Sequence, residues 1–217
     1  MDKVLIATPL RNEEQNLPRF FSLLENLDYS IDLLSFAFLE GDSTDNTYEK
    51  LLEWKNSHPN LKIWLKKLDL GMEKTKFERL AISRNVIVDE LLKDEDYVFW
   101  VDTDIETLPS NTLERLIEDN KDIVAPLAVY GEPPRSLYYL GKTERPNVEE
   151  IEREMVEVGF VGICFLVKKQ VYEAHVRCSI LKTHGETVTF CQNVAQKGFL
   201  SYVDTTIRVK HPLREWE

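Results

Sequence analysis

Cysteine is scarce and unpatterned in this chain. The three residues, Cys164, Cys178 and Cys191, show no C-x-x-C or Cys/His ligand spacing, which excludes a disulfide scaffold and a structural zinc site. An odd number in a chain of 217 residues fits a reducing compartment, with the thiols serving as small core residues. Long apolar runs are missing too: nothing approaches the roughly 18 residues that a membrane span needs. No signal-peptide pattern precedes the first apolar run after Met1-Asp2-Lys3, so the chain reads as cytoplasmic. Basic charge is in deficit. With 27 Lys and Arg against 38 Asp and Glu, the net charge of −11 argues against a general binder of nucleic acid or anionic membranes. A polyanionic ligand would need a local basic cluster or a bound cation.

The 43% hydrophobic and 30% charged composition is that of a soluble globular protein, long enough to bury a proper core in one domain. Val4-Leu5-Ile6-Ala7-Thr8 reads as a buried first strand closed by Pro9. Asn12 with Gln15 is a capping-box start for a helix whose face carries Leu17, Phe20, Phe21, Leu24 and Leu27. A second strand covers 33–39 and ends at Glu40, before the turn-rich Gly41-Asp42-Ser43-Thr44-Asp45-Asn46 and a helix with Tyr48, Leu51 and Leu52. Residues 61–65 alternate as a third strand nearer an edge, and a helix spans about 75–92. Pro109-Ser110 starts another helix, and 122–127 is another strand. This alternation predicts a mostly parallel sheet with helices on both faces. From 131 to 158 periodicity fails, apart from a short strand at Leu137-Tyr138-Tyr139-Leu140; a segment this long is either functional or a surface excursion. Regular structure resumes at 163–167, then a helix at about 186–197 stopped by Gly198, then two short strands ending at Lys210-His211-Pro212.

One stretch organises the rest. Tyr97-Val98-Phe99-Trp100-Val101 has the content of a buried strand and runs directly into Asp102-Thr103-Asp104. Two hard carboxylates at the rim of a sheet suit a divalent cation shared with a phosphate; the competing reading is an acidic turn before a helix. In a parallel α/β sheet ligands bind at the carboxyl ends of strands. Here three such ends are polar: Pro9 to Asn12, Glu40 to Asp42, and Asp102 to Asp104.

Arg84 falls inside the apolar stripe of Phe77, Leu80, Ala81, Val88 and Leu91. An arginine there pairs with a carboxylate, Glu40 or Asp102, or reaches a ligand phosphate. Lys76 and Arg79 flank the stripe and read as surface charges. Glu186, after His184-Gly185, is either a catalytic base or a charge complement to a helix start. His211 closes a strand and is either structural or a metal ligand.

Leu39 to Thr47, Arg79 to Asn85 and Trp100 to Ile105 together resemble successive motifs of GT-A glycosyltransferases. The nearest likeness is to the fungal Golgi α-mannosyltransferases that build mannan, and to compact soluble relatives. It is firm over about 3–130, weaker at 159–167 and the Glu186 helix, and absent over 131–158. The resemblance implies a GT-A fold: a nucleotide-sugar-binding half at 1–130, an irregular segment at 131–158, and an acceptor-side half at 159–217. It also implies a GDP- or UDP-sugar donor bound through Mn²⁺ or Mg²⁺, and a glycan, protein or lipid acceptor. Pro9 and Arg11 would border the nucleoside, Glu40 the base or ribose, and Arg84 the diphosphate or donor sugar. Asp102, Thr103 and Asp104 would hold ribose and metal, His211 would be a third metal ligand, and Glu186 would face the acceptor or donor sugar. The chain departs from family-2 enzymes in having Glu40-Gly41 where two aspartates are usual, and Thr187 where Asp often follows the Glu186 position. Retention or inversion therefore stays open, as does homo-oligomerisation. The alternatives are a nucleotide-sugar-binding subunit without turnover and an aspartyl-nucleophile phosphatase. The latter usually wants Thr or Val at the position of Glu106. A sugar nucleotidyltransferase would want a glycine-rich phosphate loop, and Pro9-Leu10-Arg11-Asn12 is none.

Overall fold

The computed structural model describes residues 2–71, 73–138, 140, 144–152, 154–181 and 185–212. The first half alternates as expected: β1 (Val4–Leu10), α1 (Leu17–Glu25), β2 (Leu34–Gly41), α2 (Thr47–Ser57), β3 (Lys62–Leu68), α3 (Lys76–Val86) and β4 (Tyr97–Val101). A π-helical turn, Ile87–Leu91, extends α3. The second half contains α4 (Thr112–Glu118), β5 (Ile123–Tyr130), β6 (Arg135–Ser136), β7 (Met155–Glu157), β8 (Cys164–Lys168), α5 (Lys169–Glu173), α6 (Glu186–Gln196) and β9 (Ser201–Lys210). The sheet order is β3-β2-β1-β4-β8-β5-β9-β7, with β6 on β5.

β1, β2, β3 and β4 are parallel, and β8 is inserted antiparallel between β4 and β5, so that β5 and β9 again run with β1. The polar ends of β1, β2 and β4 therefore lie side by side on one edge of the sheet. Every residue of β2 and β4 is buried, which explains their unbroken apolar character. β3 stands at the edge with Lys62 and Trp64 exposed. Buried hydrophobic residues from Val4 to Val209 form one cluster, and all three cysteines are free and buried.

Four sequence expectations need correction. Asn12 does not cap α1: it adopts a left-handed φ of 55° and its side chain turns to the loop after β2, so the helix starts only at Leu17. Phe77 is not in the core but 37% exposed, since it sits in the first turn of α3, beyond the sheet edge. The short strand of the excursion is Arg135–Ser136 rather than 137–140, because Ser136 Oγ turns back onto the Tyr138 carbonyl and nitrogen; Tyr139 lies outside the described residues. The two final strands are one, β9, whose register against β5 jumps from Pro126–Asp204 to Leu127–Arg208; this bulge mimics a break in the sequence pattern.

Asp119, at the end of α4, has a buried Oδ2 with no hydrogen-bond partner among the described residues. Burial, with the charge of Asp204 added, pushes its carboxyl up to about 6 against the opposing Arg115 and Lys121. A folded-state pKa above the unfolded one means ionisation destabilises the fold, increasingly from pH 4 to 6 and fully above. Asp119→Asn should therefore raise the unfolding free energy by about 1 kcal/mol at pH 7.5 and leave it unchanged near pH 4, as urea titrations at the two pH values would read.

Candidate functional site

The loops after β1 and β2 are fastened to each other before any ligand arrives. Asn12 receives the Thr44 amide at 2.8 Å, Thr47 Oγ1 receives the Glu13 amide at 2.8 Å, and Glu14 holds Asn46 through both its amide and its side chain. Arg11 Nε reaches the Asp42 carbonyl at 3.2 Å. Fixing both loops in the free protein removes an ordering cost from ligand binding. At the bottom of β2, Glu40 is fully buried, with Oε1 accepting from the Ser43 amide at 2.6 Å and Oε2 lying 3.9 Å from Lys67 Nζ.

Beside these loops opens a cleft of about 260 Å³, lined by Pro9 and Arg11 from β1, Gly41 from β2, Lys76, Arg79 and Arg84 from α3, and the Asp102-Thr103-Asp104 run after β4. Lys76, exposed as expected of a surface charge, and Arg79, partly buried, thus also line the cleft. The signal that places them was present: both lie one and two turns before Arg84 on the helix that faces the aspartates. Leu70, after β3, also lines the cleft, and a Cβ added at Gly41 would come within 2.4 Å of its Cδ1. Gly41→Ala should push Leu70 toward the cleft and weaken nucleotide binding by about tenfold. The stability change should stay within about 1 kcal/mol because a leucine tip can rotate; calorimetry and urea unfolding read the two effects.

Arg84 has a side chain only 4% exposed. Its Nε donates to Glu186 Oε1 at 3.2 Å and its Nη2 to Asp102 Oδ1 at 3.4 Å, while the guanidinium lies 4.7 Å from the Trp100 ring and 5.6 Å from Phe165. The carboxylate partner foreseen for it is therefore Asp102, not Glu40, and Glu186 joins as a second. Nη1 is buried without a hydrogen-bond partner among the described residues. Glu186, expected to face an acceptor or donor sugar, is itself buried, 8% exposed at the side chain, and does not line the cleft. His184 lies outside the described residues.

The two aspartates are treated differently because the chain leaves the strand at Val101. Asp102 faces Arg84 with its side chain 35% exposed. Enclosure by protein raises its carboxyl to about 6, and the like charges of Asp104 and Glu186 add to this while Arg84 opposes it. The Asp104 carbonyl is held by Arg19 Nη2 at 3.3 Å, and its Oδ2 lies 3.3 Å from His211 Nε2. Two bonds bring His211 there across the sequence: Glu106 N to the Lys210 carbonyl at 2.7 Å, and Lys210 N to Thr107 Oγ1 at 3.0 Å. His211 Nδ1 lies 2.7 Å from the Pro212 carbonyl, which can only accept, so Nδ1 carries a proton; in the protonated imidazolium Nε2 also donates to Asp104. Burial opposes protonation of His211, but its hydrogen bond to Asp104 and that residue's charge outweigh it, so its pKa lies above the ordinary value.

Asp102, Asp104 and His211 do not close into a three-ligand cage, and no group of three His, Cys, Asp or Glu does so among the described residues. Asp102 is turned to Arg84. Asp104 and His211 alone are paired, one carboxylate oxygen against one imidazole nitrogen. Such a set suits a cation that takes its remaining ligands from substrate phosphate and water, as Mg²⁺ and Mn²⁺ do in phosphate sites. His58, bonded to the Trp54 carbonyl at the end of α2, and exposed His175 lie away from the cleft.

The family model for Anp1 matches residues 1–63 and 66–137. Over 148 residues the chain is 33% identical to the mannan polymerase II complex anp1 subunit of Schizosaccharomyces pombe, covering 58% of this chain and 34% of that protein. It is 28% identical to the corresponding ANP1 subunit of Saccharomyces cerevisiae, covering 58% and 30%. A probable inactive glycosyltransferase 25 family member 3 of Bos taurus is 28% identical over 145 residues, covering 57% and 23%. The matched stretch thus spans about a third or less of each relative's length. Among solved structures, Staphylococcus aureus TarS with UDP-GlcNAc superposes with a TM-score of 0.73 at 15% identity, over 99% of this chain and 60% of that one. The mannosyltransferase PcManGT of Pyrobaculum calidifontis, in complex with GDP-Man and Mn²⁺, gives 0.73 at 13% identity, over 99% and 58%. At such identities the likeness establishes the fold, which is GT-A.

Proposed function

The chain belongs to the Anp1 family, whose model covers more than half of its length, and from that premise we propose a metal-dependent glycosyltransferase using a nucleotide-diphosphate sugar. One observation carries the reading. In a chain of net charge −11, a single cleft joins the cations of Arg11, Lys76 and Arg79 to the Asp102-Thr103-Asp104 run at the sheet's carboxyl edge. That is the local basic cluster a diphosphate requires, beside carboxylates that suit a divalent cation.

Pro9, Arg11 and Gly41 border the nucleoside, and Glu40 shapes the floor beneath it through the Ser43 amide. Lys76 and Arg79 face the diphosphate. Asp104 and His211 hold the cation, which when bound supplies Lewis-acid stabilisation of charge on the departing diphosphate. Asp102 turns to the ribose with one oxygen and keeps Arg84 with the other. Arg84 acts through its two carboxylates, fixing Asp102 on the donor side and Glu186 on the acceptor side; the buried Glu186 is a positioning residue in this arrangement. The mannosyl group and GDP are the first donor candidates, because both anp1-subunit relatives are named for mannan polymerase and one neighbour holds GDP-Man, with UDP, held by other neighbours, as the second.

The reading predicts that one member of a nucleotide-sugar panel raises the melting temperature by several degrees with Mn²⁺ and not with EDTA. No shift with any donor would sink it. A binding subunit without turnover is the second reading, favoured by one feature: the acceptor-side carboxylate, Glu186, is already committed to Arg84. Donor binding without transfer or donor hydrolysis would select it.

A further inference from the structure

Resting on the glycosyltransferase reading, we propose that a second concavity, at the carboxyl end of β5, seats a neutral saccharide unit of the acceptor. It measures about 480 Å³ and is lined by Tyr130, Gly131, Glu132, Pro133, Arg135 and Asn147, none of which lines the donor cleft. It opens on the same edge of the sheet. β5 is the second strand from β4 in the sheet, with β8 between them. The residue before Tyr130 ties the two places together, because the Val129 carbonyl accepts the His211 amide at 2.9 Å.

The floor is built rather than loose. β6 pairs with the end of β5, the Ser136 amide donates to the Pro146 carbonyl at 2.9 Å, and the Val148 amide donates to the Pro134 carbonyl at 3.0 Å. Arg135 Nη2 reaches the Arg145 carbonyl at 3.2 Å, and the Arg145 guanidinium lies 6.0 Å from the Tyr130 ring centroid. Asn147 is oriented by its bond to Glu150 at 2.8 Å. The side chains so held are an aromatic ring, a guanidinium and an amide, and exposed Glu132 adds a carboxylate. Together they offer an apolar face to ring C–H groups and paired donors and acceptors to neighbouring hydroxyls. Arg135 and Glu132 cancel in charge, unlike the cation-rich donor cleft, and this selects a neutral polyol over a second phosphate. Of the lining residues, Tyr130, Gly131, Glu132, Pro133 and Arg135 fall inside the family match and Asn147 lies beyond it.

Saturation-transfer NMR on the whole chain tests this, with neutral disaccharides of mannose, galactose and glucose as probes, in the presence of Mn²⁺ and GDP or UDP. At least one disaccharide should receive saturation, and its affinity should fall about five- to tenfold in Tyr130→Ala and in Arg135→Ala. The melting shift produced by the nucleotide should be the same in both variants as in the parent chain. The proposal is overturned if no probe binds the parent chain, or if binding survives both substitutions. Disaccharide binding that both variants lose, in a chain that no nucleotide stabilises, would support the seat and overturn the donor reading alone.

Discussion

Asp104→Ala is expected to abolish the metal-dependent part of donor binding and to lower sugar transfer by about three orders of magnitude. The carboxylate has one open task. Its backbone is pinned by Arg19 and its Oδ2 faces His211 Nε2 at 3.3 Å, so on the proposed reading it would be half of a two-atom donor set aimed by protein bonds. Removing it leaves the imidazole alone, and one nitrogen does not hold Mg²⁺ or Mn²⁺ against water. Loss of Lewis-acid stabilisation at a leaving diphosphate is worth several kcal/mol, hence the size of the effect. Calorimetry of GDP and UDP binding with Mn²⁺ and with EDTA reads the result directly. The parent chain should lose affinity in EDTA, and the variant should show the EDTA value under both conditions. Asp102→Ala should act differently, weakening binding in both conditions, because Asp102 faces Arg84 rather than His211. Unchanged transfer in Asp104→Ala would remove the metal assignment.

The position of the cleft is legible in the sequence because its parts are local. The buried run Tyr97–Val101 announces a strand, the aspartates sit at its end, and the parallel order β2-β1-β4 brings three polar ends together by topology alone. The pairing of residues far apart was not legible in the same way. Nothing in Glu186 itself says that it will meet Arg84, 102 positions earlier, instead of an acceptor. That contact depends on where α6 packs against α3, a tertiary outcome. Lys76, an exposed charge as its position predicts, and partly buried Arg79 also line the cleft, which is not legible in the helical pattern for a related reason. Periodicity tells which side of α3 faces the sheet, but not that the first turns of the helix overhang the cleft. β9 shows a limit of another kind, since a bulge opposite Pro126 breaks the alternation and makes one strand look like two.

Arg84 provides the largest expected effect on the fold itself. Arg84→Met should destabilise the chain by about 3–5 kcal/mol, since it keeps the packing against Trp100 and Phe165 but strips a buried charge from its partners. The cost falls mainly on Glu186, whose side chain is 8% exposed; Asp102, at 35%, recovers water from the cleft. A buried pair removed as a whole is far less costly than one broken, so Arg84→Met with Glu186→Gln should regain most of the loss, with a coupling of about 2 kcal/mol in the double-mutant cycle. Urea unfolding of the four proteins measures it. The functional consequence separates scaffold from site: if Arg84 serves only to hold the fold, the double variant recovers donor binding along with stability. If it positions Asp102 for the donor, stability returns while nucleotide affinity stays low, because Asp102 still lacks the guanidinium that aims it. A single Arg84→Met variant within about 1 kcal/mol of the parent would show that neither carboxylate depends on it.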